Sequence, residues 1–199
     1  MQRKKITTPS HLLYVSFESD TIREDRGVLV DTSYNPAHHA RQYGKIAATN
    51  DHLSSLGLKE GVDVIFHHFV ALESDTQSNH KTNYNQFVSD IVGERCYPCD
   101  LSQLFAYYDK SKGRWVGVNG WVLGHPILNE QTKSDILEIV GEGKSSQDYI
   151  VRVLSHNPVC QVNSAAYLTK NCDYIIKMPC GNDAWAFNVN DIIGIDYEF

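Results

Sequence analysis

The chain has 199 residues, of which 42% are apolar and 21% charged, and its formal net charge is −6 at pH 7. This balance is typical of a globular protein and argues against extensive disorder. The length suits one large domain or two of about 100 residues each.

The acidic charge argues against a nucleic-acid partner. No apolar run reaches the roughly 18 residues of a membrane-spanning helix. Five cysteines without framework-like spacing favour a reducing compartment. We therefore expect a cytoplasmic protein that does not enter a membrane.

Short runs rich in β-branched and aromatic residues predict strands along the first half. These runs cover residues 12–17, 45–48 and 58–66, and the half closes on residues 101–108. The run at 87–92 fits either a strand or a helical turn. Between the first two strands, Gly27 precedes the apolar triplet Val28-Leu29-Val30, and turn-forming residues follow it. The triplet therefore fits either a short strand or an apolar segment on a mobile loop at about residues 21–43.

Polar residues at about 73–95 predict an exposed insertion, and residues 109–113 are the best candidate for a linker between two halves. Strand-like runs return in the second half at residues 115–118, 121–124, 149–154, 173–178, 184–189 and 191–195. No sustained helical period occurs, so the sequence predicts an all-β fold.

The two halves show similar residues in the same order, which favours an internal duplication. Tyr14 aligns with Trp121 (121 − 14 = 107) and Tyr43 with Tyr149 (149 − 43 = 106). Residues 59–65 resemble 170–176 (170 − 59 = 111), whereas residues 104–106 resemble 192–194 at the smaller offset of 192 − 104 = 88. An insertion at 73–95 in the first half would explain the drop in offset.

The order of these segments resembles the GroES-type co-chaperonin family, which caps the barrel-shaped chaperonin. The resemblance rests on residues 14–17, on Gly27 with the triplet, and on 44–48, 58–66 and 103–107. The second half is less similar, and its best match is at residues 190–195. The resemblance implies two tandem GroES-like irregular β-barrel domains, at residues 1–109 and 114–199. A divergent, virus-encoded member would have such a sequence, and it would then act in the host cytoplasm.

The resemblance also implies a function in ATP-dependent protein folding that involves neither catalysis nor a cofactor. Loop residues would bind the apical domains of a GroEL-like chaperonin, and the chains would assemble into a ring-shaped homo-oligomer. The expected binding residues are Gly27, Val28, Leu29, Val30, Ile136, Leu137 and Ile139. The alternative is a structural or decoration subunit of a larger assembly, such as a virus particle, in which the triplets would be ordinary strands.

Other chemistry has weaker sequence support. Cys96-Tyr97-Pro98-Cys99 has the spacing of a redox dithiol, but no βαβ pattern surrounds it. The pairs His38-His39 and His67-His68 would point to opposite faces if they lay on strands, so we expect loop or surface histidines and no metal site. Nucleotide-binding glycine loops and a nucleophile elbow are missing from the sequence, and we do not expect an enzyme.

Overall fold

The computed structural model describes residues 8–17, 22–25, 28–31, 42–70, 88–91, 94–127, 150–169 and 174–197. Most of the regular structure in these residues is β-strand, as the sequence predicts. The strands of the first half are β1 Leu12–Ser16, β2 Ile22–Asp25, β3 Val28–Asp31, β4 Tyr43–Ala48, β5 Asp63–Phe66, β6 Val88–Ile91, β7 Glu94–Asp100, β8 Leu104–Asp109 and β9 Arg114–Gly117. Those of the second half are β10 Trp121–Pro126, β11 Ile150–Val153, β12 Ala165–Leu168, β13 Tyr174–Lys177, β14 Asp183–Asn188 and β15 Ile192–Asp196.

The helical elements are short. Among the described residues one α-helix, α1, covers Asp51–Ser55, and 3₁₀ turns cover His68–Val70, Leu101–Gln103 and Val189–Asp191. The sequence predicted no helix at this position. Asn50 caps this helix by accepting a hydrogen bond from the Leu53 N–H at 2.9 Å.

The strands form two larger antiparallel sheets and a separate hairpin. The first sheet has the order β6-β7-β1-β4-β5-β8-β9, and the second has the order β13-β14-β10-β11-β12-β15. β2 and β3 pair with each other as a two-stranded hairpin. The run at 87–92, which the sequence left open, forms the end strand β6.

Strand order supports the predicted duplication. Six strands of the first sheet, β6-β7-β1-β4-β5-β8, correspond in order and direction to the whole second sheet. β8 and β15 correspond at the offset predicted for them. Leu104 of β8 pairs with Phe66 of β5, and Ile192 of β15 pairs in the same way with Leu168 of β12, so the offset is 192 − 104 = 88. Both pairings contain an irregularity at the same place, after Ile65 in the first sheet and after Tyr167 in the second.

The predicted alignment of residues 59–65 with 170–176 is wrong, because it matches two strands that do not correspond. Those segments contain β5 and β13, but by strand order the counterpart of β5 is β12 and the counterpart of β13 is β6. Pairing with the preceding strand gives the corrected alignment, in which the counterpart of Tyr43 is Ile150 and not the predicted Tyr149. Tyr43 pairs with Ile65 as Ile150 pairs with Tyr167 (167 − 65 = 102). The offset then falls to 88 across the connection between β5 and β6, which includes most of the predicted polar insertion.

The predicted linker at 109–113 is a hairpin turn inside the first sheet. It joins β8 to β9, where Asp109 pairs with Arg114. The chain passes from the first sheet to the second after Gly117 instead. β9 makes a parallel bridge from Val116 to His156 of the second half. In the described residues both sheets are open, so the expected closure into barrels is not seen.

Each larger sheet has its own buried core, and a further cluster lies between the sheets. The first core lies on the first sheet and includes Leu13, Val15 and Phe66. The second core includes Val151, Val153 and Phe187. A third cluster, called here the shared core, joins the two sheets and consists of Ile65, Phe105, Ala106, Leu123, Ile176, Met178, Ala184 and Ala186.

Candidate functional site

The apolar triplet lies on a hairpin between β1 and β4. Val28, Leu29 and Val30 belong to β3, and they pair with Asp25, Glu24 and Arg23 of β2. Gly27 lies outside the described residues. The local conformation is therefore that of a strand, one of the two interpretations of the sequence. Its partner is another strand of the same connection, and the hairpin does not join either larger sheet.

The second predicted set, Ile136, Leu137 and Ile139, lies outside the described residues. It belongs to the connection between β10 and β11. Strand order makes β10 and β11 the counterparts of β1 and β4. The two predicted binding segments thus belong to equivalent connections of the two repeats.

A cluster of aromatic and histidine side chains lies where the two sheets meet, and we call it the junction cluster. β5 ends at Phe66, and the chain then turns through His67 and His68. The His67 ring centroid lies 4.3 Å from that of His68 and 4.9 Å from that of Tyr174 on β13. Phe105 on β8 completes the stack, with its ring centroid 5.2 Å from that of Tyr174.

Hydrogen bonds to the Tyr174 hydroxyl bind the cluster across the sheets. The Gln42 side-chain amide donates to this oxygen at 3.2 Å, and the His68 backbone N–H approaches it at 3.4 Å. The hydroxyl also lies within hydrogen-bonding distance of His68 Nδ1. Sequence reasoning missed this arrangement because Tyr174 is more than a hundred residues from the two histidines, and no local pattern connects them.

The junction cluster favours neutral histidine. Burial, together with the neighbouring His68, lowers the pKa of His67 from 6.5 to about 4. Burial also raises the pKa of Tyr174, so its hydroxyl remains protonated near neutral pH. His67 and His68 follow the end of β5 and do not lie on a strand, which agrees with the expectation of loop histidines, and their rings stack on each other.

Cys96 and Cys99 both lie on β7 and are fully buried. Cys96 packs beside Ala48, whereas Cys99 belongs to the first core. Burial, with a smaller contribution from Asp100, raises the pKa of the Cys99 thiol well above its usual value. A buried neutral thiol is a poor nucleophile, so this geometry supports packing rather than the alternative redox interpretation.

Within the part of the chain that the structure describes, His, Cys, Asp and Glu residues form no group of three or more that could hold a metal ion. The described helices also include none with the length and apolar character needed to cross a membrane. No protein-family model matches the chain, and the search of curated proteins found no match.

Proposed function

We propose that this protein is a co-chaperonin built from two GroES-like domains, which caps a chaperonin folding chamber without catalysing a reaction. The observation that supports the proposal best is the repeated position of a long connection. In each sheet a connection of more than 20 residues follows the first strand of the repeat, at 17–42 and at 127–149. The first connection presents the apolar triplet on a hairpin that is separate from both sheets.

The hairpin suits reversible binding. A two-stranded hairpin alone is marginally stable in water, so contact with a partner would add substantially to its order. Burying three aliphatic side chains contributes on the order of 1.5–3 kcal/mol each, offset by the cost of ordering the connection. Binding through one hairpin is therefore weak and releasable.

A ring-shaped homo-oligomer would convert this weak binding into firm capping. Several hairpins engaging several apical domains raise the effective concentration of each contact. Release would follow when the chaperonin changes shape with its nucleotide. In this proposal the protein acts in the cytoplasm and holds no nucleotide itself, and Ile136, Leu137 and Ile139 provide a second contact from the equivalent connection.

A pull-down against a GroEL-like chaperonin, with ATP, with ADP and without nucleotide, tests the proposal. Wild type should bind in a nucleotide-dependent manner. A variant with Val28, Leu29 and Val30 all changed to Ser should lose at least about tenfold in affinity, because about 1.4 kcal/mol of lost burial already has that effect. Changing Ile136, Leu137 and Ile139 to Ser measures the second connection separately.

Ile193→Ser is the matched control, because it too replaces an aliphatic residue by Ser, at an exposed position on β15 that lies outside both connections. It should bind as wild type does. Failure of wild type to bind under any nucleotide condition would refute the co-chaperonin proposal, and equal loss in the control would show that the triplet has no special role.

A structural subunit of a larger assembly is the second candidate, and the end strands of the second sheet favour it. Ile175 on β13 is 57% exposed and Ile193 on β15 is 71% exposed. Exposed aliphatic residues on end strands promote pairing with another chain. Light scattering after size-exclusion chromatography distinguishes the candidates: assembly that Ile175→Lys and Ile193→Lys abolish, without chaperonin binding by wild type, favours the structural role.

A further inference from the structure

The His67 ring packs against side chains of both sheets. Its centroid is 6.0 Å from that of Phe105 on β8 and 4.9 Å from that of Tyr174 on β13, and these two rings contact each other at 5.2 Å. Phe105 belongs to the shared core, and Tyr174 packs against it. A change in the charge of His67 would therefore act where the sheets are joined.

The hydrogen bonding of His67 requires its neutral form. The Phe69 backbone N–H donates to His67 Nδ1 at 3.2 Å, so this nitrogen presents a lone pair. A proton on Nδ1 would face that N–H donor and would break the hydrogen bond. The resulting cation would also lie against the His68 ring, whose centroid is 4.3 Å away.

The other elements around His67 supply few groups that can ionise. The titratable groups of the cluster are His67 and His68 after β5, and Tyr174 on β13. β8 contributes Phe105, β10 contributes Trp121 against Phe105, and Gln42 precedes β4. Among the described residues of this cluster no carboxylate lies beside His67 to stabilise its cation.

We propose that His67, with His68 and Tyr174, is a proton-controlled latch between the two sheets: the neutral stack holds the sheets together, and protonation of His67 loosens their contact. The latch belongs to the junction of the repeats and does not require that the protein bind a chaperonin. It gives the molecule a conformational response to mild acid.

The direction of the response follows from the pKa of His67. It is lowered from 6.5 to about 4 in the closed form, by burial and then by His68. The stabilising contribution of neutral His67 is fully present above pH 6.5 and is lost as the pH falls towards 4. The His67 side chain is only partly buried, so solvent screening reduces the size of the effect.

Hydrogen exchange measured by NMR at pH 7.5 and pH 5 tests the latch. The reporters are two amides that bond between the sheets: Gly117 N–H donates to the His156 carbonyl at 3.0 Å, and His156 N–H donates to the Trp115 carbonyl at 2.8 Å. The reference amides are Ile46 and Val153, which bond within one sheet. After correction for the intrinsic pH dependence, exchange at the two reporters should be about three- to tenfold faster at pH 5 relative to the references.

His67→Asn should abolish the selective acceleration, because Asn keeps an acceptor near the Nδ1 position but does not titrate. His52→Asn, which changes an exposed histidine on α1, should respond to pH as wild type does. Equal acceleration of reporters and references, or the same selective response in His67→Asn, would overturn the proposal.

A measurement on wild type alone decides the question if His67→Asn does not fold. The ring signal of His67 is followed by NMR from pH 7.5 to pH 4 together with the reporter exchange rates. The latch requires the corrected rates to rise as His67 gains its proton. Constant rates through the titration of His67 would overturn it.

Discussion

At the scale of single residues, close backbone approaches make some positions intolerant of any side chain. A Cβ atom at position 117 would overlap the Trp121 carbonyl oxygen. This contact lies at the passage from the first sheet to the second, where Asn119 and Gly120 have positive φ angles of 52° and 79°. The chain can reverse so tightly only because position 117 has no side chain.

Gly117→Ala should therefore destabilise the protein by about 1–3 kcal/mol, the usual cost of forcing extra atoms into a packed site. Urea unfolding followed by circular dichroism measures the change. Gly194→Ala is the control, because its Cβ would meet only Tyr167, at 3.8 Å, and it should remain within about 0.5 kcal/mol of wild type. Equal effects of the two substitutions would contradict this account of the reversal.

At the scale of elements, the sequence predicted strands best where β-branched and aromatic residues are dense. β1 and β11 fall within runs that the sequence marks as strands, and β4 and β14 overlap such runs for most of their length. β12 was missed because Ala165 and Ala166, which begin it, have low strand propensity and are buried only through the tertiary fold. No strand was predicted at β7, because its Cys96-Tyr97-Pro98-Cys99 segment was considered only for its dithiol spacing. The described pairing of β7 with β6 ends at Cys96, so Pro98 pairs on one side only, with Tyr14 of β1.

The repeated elements include their capping interactions, which the sequence comparison did not use. The Asp100 side chain caps the 3₁₀ turn before β8, and the Asn188 side chain caps the turn before β15. In both, the third residue of the turn bonds back to the capping residue. Such local chemistry is a better marker of repeat register than the apolar runs, because many β-strands share similar runs.

Asn50 links an element to the N-terminal segment, and its substitution should separate two contributions. Its Oδ1 atom caps α1, while its Nδ2 group donates to Thr8 Oγ1 at 3.1 Å and to the Pro9 carbonyl at 2.7 Å. Asn50→Ala should cost about 2–3 kcal/mol, because it removes the cap and leaves buried acceptors unpaired. Thermal or urea unfolding measures the loss.

Asn50→Asp separates the helix cap from the hydrogen bonds to the N-terminal segment, because the carboxylate keeps the capping acceptor but cannot donate to Thr8 or Pro9. Its stability should lie between those of wild type and Asn50→Ala. If Asn50→Asp is as stable as wild type, the tether to the N-terminal segment contributes nothing measurable. If it is no better than Asn50→Ala, the cap does not contribute.

At the scale of the whole molecule, the junction cluster could not be predicted because its parts come from both repeats. The sequence singled out the histidine pair but gave no reason to place Tyr174 beside it. The predicted linker led to the expectation of two separate cores. The structure instead places Ile65 and Phe105 of the first sheet in one buried cluster with Leu123 and Ile176 of the second.

The shared core predicts that the two sheets unfold together. Separating them would expose the apolar surface of both, so partial unfolding of one sheet should destabilise the other. In urea titrations followed by NMR, the signals of Val15 in the first sheet and Phe187 in the second should disappear at the same midpoint.

Leu123→Ala, which truncates a fully buried side chain of the shared core, should lower both midpoints through a loss of about 2–5 kcal/mol. Ile193→Ala, at an exposed position of the second sheet, should leave both midpoints nearly unchanged. Separate midpoints in wild type, or a Leu123→Ala effect confined to the second sheet, would mean that the repeats fold as independent domains despite the cluster between them.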